Sequence, residues 1–400
     1  MNQQTSRAPP WLIILALSVG AFAIGTTEFA AMSLLPFFAA DLGISEPAAG
    51  HAISAYALGV VVGAPIIAVL AARLSRRTLL IALMALFALG NWLSGISGDY
   101  VSLLAFRFIS GLPHGAYFGI ASLVAASLVP VDKRAQAISR MFLGLTVATI
   151  VGVPAANALG QVLGWRAGFL VVAVLAVITM VLVAIYAPRG KPDAAASPLR
   201  ELGAMRNPQV LLTLLSGAIG FGGLFAVYTY AASTLIEVTG ESEAYVPLVA
   251  GVFGVGMTVG NLVAGKAADS ALEKTAITVF LWSAASLSLF PLMAGNLWTL
   301  MLSMFLVGCG GGLGPVLQTR LMDVAGDAQG LAAAAHHSAF NTANALGPWL
   351  AGLAISAGFG FTASGWIGAL LALAGLGVFL LALQMDRRIA SAEAQPSGCC

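Results

Sequence analysis

Twelve apolar stretches, each about twenty residues or longer, suit this chain to a lipid bilayer rather than to water. They fall at 11–38, 48–72, 78–97, 101–128, 135–163 and 167–186, and again at 210–235, 245–268, 275–294, 297–318, 330–357 and 361–385. Only 8% of residues are charged and 59% are hydrophobic, against about 25% charged in a soluble domain. A chain of this kind cannot cover a water-facing surface. The fold class expected is therefore an all-α membrane protein of twelve transmembrane helices in two pseudo-symmetric six-helix bundles.

Polar punctuation supports that count. The longest break, 188–209, holds Pro188, Gly190, Pro192, Pro198 and Pro208 among Ala and Ser, the composition of a flexible linker. It separates an N-terminal bundle (1–187) from a C-terminal bundle with its tail (210–400). With both termini cytoplasmic, 16 of the 18 Lys and Arg residues lie inside, Arg166 alone lies outside and Arg107 falls within a span. This is the asymmetry of the positive-inside rule. The first apolar run is too long for the core of a cleavable signal and reads as a retained helix. A net charge of +2 without a basic patch argues against a nucleic-acid partner. The three cysteines, Cys309, Cys399 and Cys400, have no metal-ligand spacing. No cofactor is expected.

The two halves repeat. Gly59 and Gly63 end the second span ahead of Arg73 and Arg77, and Gly256 and Gly260 end the eighth ahead of Asp269, Ser270 and Lys274, 197 positions later. Gly152 and Pro154 in the fifth span have counterparts Gly347 and Pro348 in the eleventh. Two matches at equivalent spans point to a duplicated six-helix unit.

Several motifs then stand out: Thr26-Thr27-Glu28-Phe29 in the first span; Arg73, Arg76 and Arg77 after the second; Arg107, Gly111, Gly115 and Ala116 in the fourth; and Gly144, Gly152, Pro154 and Gly160 in the fifth. In these the chain resembles the major facilitator superfamily, in its drug/proton antiporter branch, closest to arabinose- and sugar-efflux-like members. It departs from the family pattern at Ala72 and Ser75, where an acid and a glycine are usual, and at Val153, which splits the usual Gly-Pro pair; Asp269 keeps the acid in the second half. The resemblance implies a multi-pass transporter of a bacterial inner membrane. It also implies a cytoplasmic gate at Arg73, Arg76, Arg77 and Asp269, an antiporter motif at Gly152 and Pro154, and an outward direction of transport.

Ionisable side chains at membrane depth cost at least about 2.5–3.5 kcal/mol and are functional by default. Two lie well inside spans. Glu28 is roughly 15 Å from the outer end of the first and Arg107 roughly 9 Å from the outer end of the fourth, at 1.5 Å per residue. They are expected to approach each other, directly or through water. Glu28 then carries the coupling proton, because burial favours its neutral form and Arg107 its carboxylate. A static pair fixing helix register is the plainer reading.

His114 follows Arg107 by seven residues and shares its helix face; it either contacts substrate or satisfies a backbone carbonyl beside Gly111 and Gly115. His337, Asn341 and Asn344 form one polar stripe on the eleventh span, open to substrate or to hydrogen bonding between helices. The adjacent His336 cannot face the same way, and His51 lies at the interface. Phe221, Phe225 and Tyr228 share a face of the seventh span. The run from Cys309 to Pro315, followed by Gln318, makes the tenth a poor regular helix, as is tolerated where a helix lines a cavity. Candidate substrate contacts are thus His114, Phe225, Tyr228, Gln318, His337, Asn341 and Asn344.

The stretch Gly260-Asn-Leu-Val-Ala-Gly265-Lys266-Ala267 nearly matches a phosphate-binding loop but lacks the closing Ser or Thr. No ATP is expected, nor enzymatic chemistry. The reading is alternating access by a proton-coupled exporter of a small molecule such as a sugar, nucleoside or drug-like compound. The alternative is a proton symporter or facilitator for uptake. The expected partners are that substrate, protons and the bilayer, with the protein a monomer.

Overall fold

The computed structural model describes residues 8–44, 46–70, 73–189, 203–326 and 328–393, and among them every regular element is helical. Arg7, Ala72, Lys191, Arg200, Cys399 and Cys400 lie outside the described residues, as does most of the 188–209 linker.

In the first half, α1 (Pro10–Ser33) kinks at Leu34 into the short α2 (Leu35–Leu42). The spans α3 (Glu46–Leu70), α4 (Arg76–Gly95) and α5 (Tyr100–Ser127) follow. The fifth span joins α6 (Arg134–Val147) through a π-turn at Ala148–Gly152 to α7 (Val153–Leu163), and α8 (Trp165–Tyr186) is the sixth. In the second half, α9 (Pro208–Gly220) and α10 (Gly222–Glu237) are one span broken at Phe221. The long α11 (Val246–Met293) folds back at Ala271, whose φ of −156° and ψ of 67° are not helical, so it supplies two spans. The tenth span runs through α12 (Leu297–Cys309), a 3₁₀ turn at Gly310–Gly312 and α13 (Leu313–Val324); α14 (Gln329–Ala354) and α15 (Ala363–Glu393) complete the set.

Among the described residues, ten helices qualify as spans by length and hydropathy alone. The reversal within α11 adds one. The other is α14, 26 residues long but diluted by His336, His337, Asn341 and Asn344. Leu70, Val162, Val263, Leu292 and Leu370 are more than half exposed; on a membrane protein such apolar surface meets lipid. Helix starts are capped where the chain leaves the bilayer: Asp99, Asn207 and Asn296 accept from backbone amides of α5, α9 and α12 at 2.9 Å each.

The duplication is visible in packing. A Cβ at Gly59 would strike the carbonyl of Phe108, and one at Gly111 that of Tyr56. The second half repeats this with Gly256 against Phe305 and Gly308 against Phe253. Every one of these residues has its counterpart 197 positions away. Small residues here let α3 meet α5, and α11 meet α12, backbone to backbone.

Arg166, the lone outer basic residue, clamps the outer end of the first bundle. It donates to Asp41 Oδ2 at 2.6 Å and to the Ser97 carbonyl at 2.9 Å. The Arg166 and Trp165 hydrogen bonds hold the Asp41 carboxyl below the usual carboxylate range.

Candidate functional site

Glu28 lies five residues before the end of α1 and is 3% exposed, with neither carboxyl oxygen hydrogen-bonded among the described residues. Arg107 on α5 is 1% exposed. It makes no ion pair within 4.0 Å of Glu28; its Nη1 donates instead to Thr27 Oγ1 at 3.2 Å. Thr27 in turn donates to Asn91 Oδ1 at 2.7 Å. The guanidinium sits 4.4 Å from the centroid of the Tyr56 ring and 5.1 Å from that of Phe169, a cation–π cradle. Arg107 is tied to the residue next to Glu28 on α1 and not to the carboxyl group itself. Acid and base are thus neighbours held apart, with the positive charge fixed by an aromatic face and a hydroxyl. No described residue hydrogen-bonds the carboxyl group.

Tyr56 connects this group to a second one. Its hydroxyl meets His114 Nδ1 at 2.9 Å, and His114 Nε2 meets His337 Nδ1 at 3.3 Å. That last bond crosses from α5 in the first bundle to α14 in the second. Phe118 stacks on His337 at 4.2 Å, with Phe142 behind at 5.7 Å. All of these rings are buried. His336 turns the other way, edge-on to Phe221. His337 Nε2 and Asn341 Oδ1 remain without partners among the described residues, while Asn341 Nδ2 donates to the carbonyl of His337 at 3.0 Å. Asn344 is half-buried, further out on α14.

The other candidates spread over the second bundle. Phe225 packs edge-on to Phe340. Tyr228 lies tilted against Phe253 with ring centroids 4.6 Å apart and edge-on to Phe29 of α1 at 6.0 Å. Of the three rings expected on one face, Phe221 and Phe225 both meet Phe340, while Tyr228 bridges Phe253 of the second bundle and Phe29 of the first. Gln318 is wholly buried, donates to the Ala333 carbonyl at 3.2 Å and keeps Oε1 unpartnered among the described residues. The glycine run before it forms the 3₁₀ turn, in keeping with its poor helix propensity. His51 is exposed and pairs with the Tyr100 hydroxyl at 2.7 Å.

The cytoplasmic ends of the bundles are closed on each other. Asp269 Oδ1 accepts from the Ala135 amide at 2.8 Å and Oδ2 from that of Gln136 at 3.2 Å. Both amides are in the first turn of α6, where donors lack intrahelical partners and a carboxylate is favoured by the helix dipole. Above it, Ser139 Oγ donates to the Asn261 carbonyl at 2.6 Å and Asn261 Nδ2 returns to the Ser139 carbonyl at 2.8 Å. Thr258 and Thr146 hydroxyls meet at 3.0 Å. Arg73 is exposed; Arg76 reaches the Leu123 carbonyl at 3.4 Å and Arg77 that of Ala184, both within the first bundle. Gly152 closes the π-turn, and Pro154 opens α7 behind it; a Cβ at Gly152 would strike the Thr26 hydroxyl, two residues from Glu28.

Sequence reasoning missed Tyr56, Phe118 and Phe142. Tyr56 carried a signal, since a tyrosine ten residues inside a span has a hydroxyl that needs a partner.

The Major Facilitator Superfamily profile matches residues 17–271 and 225–397. The chain is 42% identical over 388 residues to the inner membrane transport protein YdhP of Escherichia coli K12, covering 97% of each. It is 28% identical over 380 residues to a probable sugar efflux transporter of Pasteurella multocida, covering 94% of each. The fold matches the crystal structure of the E. coli fucose:proton symporter FucP with a TM-score of 0.74 at 15% identity, over 93% of this chain and 97% of that one. The chain belongs to the Major Facilitator Superfamily and is a multi-pass inner-membrane transporter of small solutes, not an enzyme.

Proposed function

We propose that the protein exports a small, uncharged or weakly polar solute in exchange for protons. The observation that carries this is Glu28: one carboxyl group in an apolar wall, unlocked by any hydrogen bond among the described residues, beside a fixed Arg107. Its charge is set by burial against attraction to Arg107, and any tilt of α1 against α5 changes that balance. The Tyr56–His114–His337 chain gives the proton a route toward the second bundle. Substrate takes the polar atoms left on α14 and α13, those of His337, Asn341 and Gln318, against the walls of Phe225 and Tyr228. Outward direction is supported by the relative named as an efflux transporter.

The bundles 1–187 and 210–400 rock about this site, joined by the 188–209 linker. Asp269 latches the cytoplasmic side, with Arg73, Arg76 and Arg77 on the first bundle's loop, and the Gly152–Pro154 turn supplies the bend. Asp269→Ala removes bonds to two otherwise orphaned amides, a loss of about 1–2 kcal/mol. It is expected to raise the rate at which an impermeant maleimide reaches Ser139→Cys from the cytoplasmic side by about tenfold. An unchanged rate contradicts the latch.

The test of export is transport by purified protein in liposomes under an imposed pH gradient, screened over sugars, nucleosides and drug-like compounds. Uphill accumulation in inverted vesicles acidified inside is the expected result. Uphill uptake into right-side-out vesicles with the opposite gradient would instead establish symport, and facilitation indifferent to pH would remove the coupling.

A further inference from the structure

A groove of about 410 Å³ lies on the flank of the second bundle, between the cytoplasmic parts of the two limbs of α11 and the end of α12. It is separate from the buried site above. Val259, Val263, Val279, Trp282 and Phe305 form its walls, and Cys309 and Gly260 its floor. It opens sideways into the membrane, for Val263 is 64% and Trp282 44% exposed.

The polar groups inside it are already engaged. The Thr275 hydroxyl donates to the Ala271 carbonyl at 2.9 Å, the Thr278 hydroxyl to Lys274 at 2.8 Å and the Trp282 indole to Leu306 at 2.8 Å. The interior therefore offers an occupant little besides dispersion and apolar contact. The mouth is different. Lys274 lines it, with Lys266 exposed on the preceding limb, and neither makes an ion pair within 4.0 Å among the described residues. The two acids of the same turn point elsewhere, Asp269 to the amides of α6 and Glu273 to Arg320 at 3.7 Å. The result is an apolar slot about 12 Å deep from Lys274 to Trp282, with an uncompensated positive rim at the cytoplasmic interface.

We infer that this groove binds an anionic phospholipid of the cytoplasmic leaflet, one acyl chain in the slot and the phosphate at Lys274. Basic pockets between spans on that side suit such headgroups. The groove's floor is also where Gly260 meets the Cys309 backbone, so the lipid supports the close packing of α11 on α12.

With Cys399→Ser and Cys400→Ser, Cys309 is the only thiol of the chain. The full protein is placed in nanodiscs of phosphatidylcholine, with or without phosphatidylglycerol, and alkylation of Cys309 by a membrane-soluble maleimide is timed. Phosphatidylglycerol is expected to slow the reaction about fivefold, the factor one lysine near an anionic leaflet supplies. Lys274→Gln should cancel the slowing and Lys274→Arg should keep it. A thiol at Val174, 59% exposed on α8, placed in a Cys309→Ser background, should show no difference between the two lipids. Equal rates for Cys309 in both lipids, equal slowing in Lys274→Gln, or the same slowing at position 174 would overturn the assignment. Phosphatidylglycerol bearing a diazirine on its acyl chain should cross-link to the groove walls in the unsubstituted protein; even labelling of all lipid-facing helices would count against it.

Discussion

Glu28→Gln is expected to abolish substrate accumulation driven by a pH gradient while leaving substrate-for-substrate exchange close to that of the unsubstituted protein. Glutamine keeps the shape and removes the titratable group, so alternation of the bundles survives and its link to protons does not. The same change should leave melting temperature unchanged or raised. Burying a carboxylate without hydrogen-bond partners costs folding energy, and Glu28 has none among the described residues. Loss of function with retained stability separates a proton carrier from a structural ion pair. A static pair would give the opposite pattern, a less stable protein that still accumulates substrate.

Gly111→Ala and Gly308→Ala are expected to lower thermal stability by similar amounts, at or above the upper end of the ~1–3 kcal/mol typical of overpacking. At each position the added methyl meets a backbone carbonyl, Tyr56 or Phe253, which cannot rotate away as a side chain can. The two sites are equivalents across the duplication, so their losses should be matched in differential scanning of the detergent-solubilised protein. Gly377→Ala, where a Cβ would meet nothing within 4 Å, should be neutral or slightly stabilising. A large loss at Gly308 with none at Gly111 would show that the halves are not packed alike.

The spans were legible because hydrocarbon imposes length and apolarity on every crossing, and the repeat because glycine has no substitute where backbones touch. Breaks were legible unevenly. The glycine run after Cys309 read as a poor regular helix and forms a 3₁₀ turn, whereas the kink at Leu34 inside the expected 11–38 span was not anticipated, although Pro36 marks it. Glu28 and Arg107 stood out as charges in an apolar context, and both are buried. What escaped is how they are held. Nothing in the sequence says that Arg107 faces Tyr56 and Thr27 instead of the carboxyl group, because that depends on how α1, α3 and α5 rotate about their axes. The His114–His337 bond joins residues 223 positions apart in different bundles. A pairing of that kind follows from docking of the halves, which hydropathy and spacing do not specify. The Tyr228–Phe29 contact escaped for a related reason: periodicity groups Tyr228 with Phe225 on α10 but does not say which helix of the other bundle meets it.

The most direct measurement needs no substrate. Spin labels at Leu74 and Ser270, both exposed and in opposite bundles on the cytoplasmic side, report the spacing of the bundle ends by pulsed electron resonance as pH is varied. The expected result is a pH-dependent exchange between a short and a long distance that disappears in Glu28→Gln. An identical pH response in that variant would mean that some other group senses the proton, and the assignment of Glu28 would be wrong.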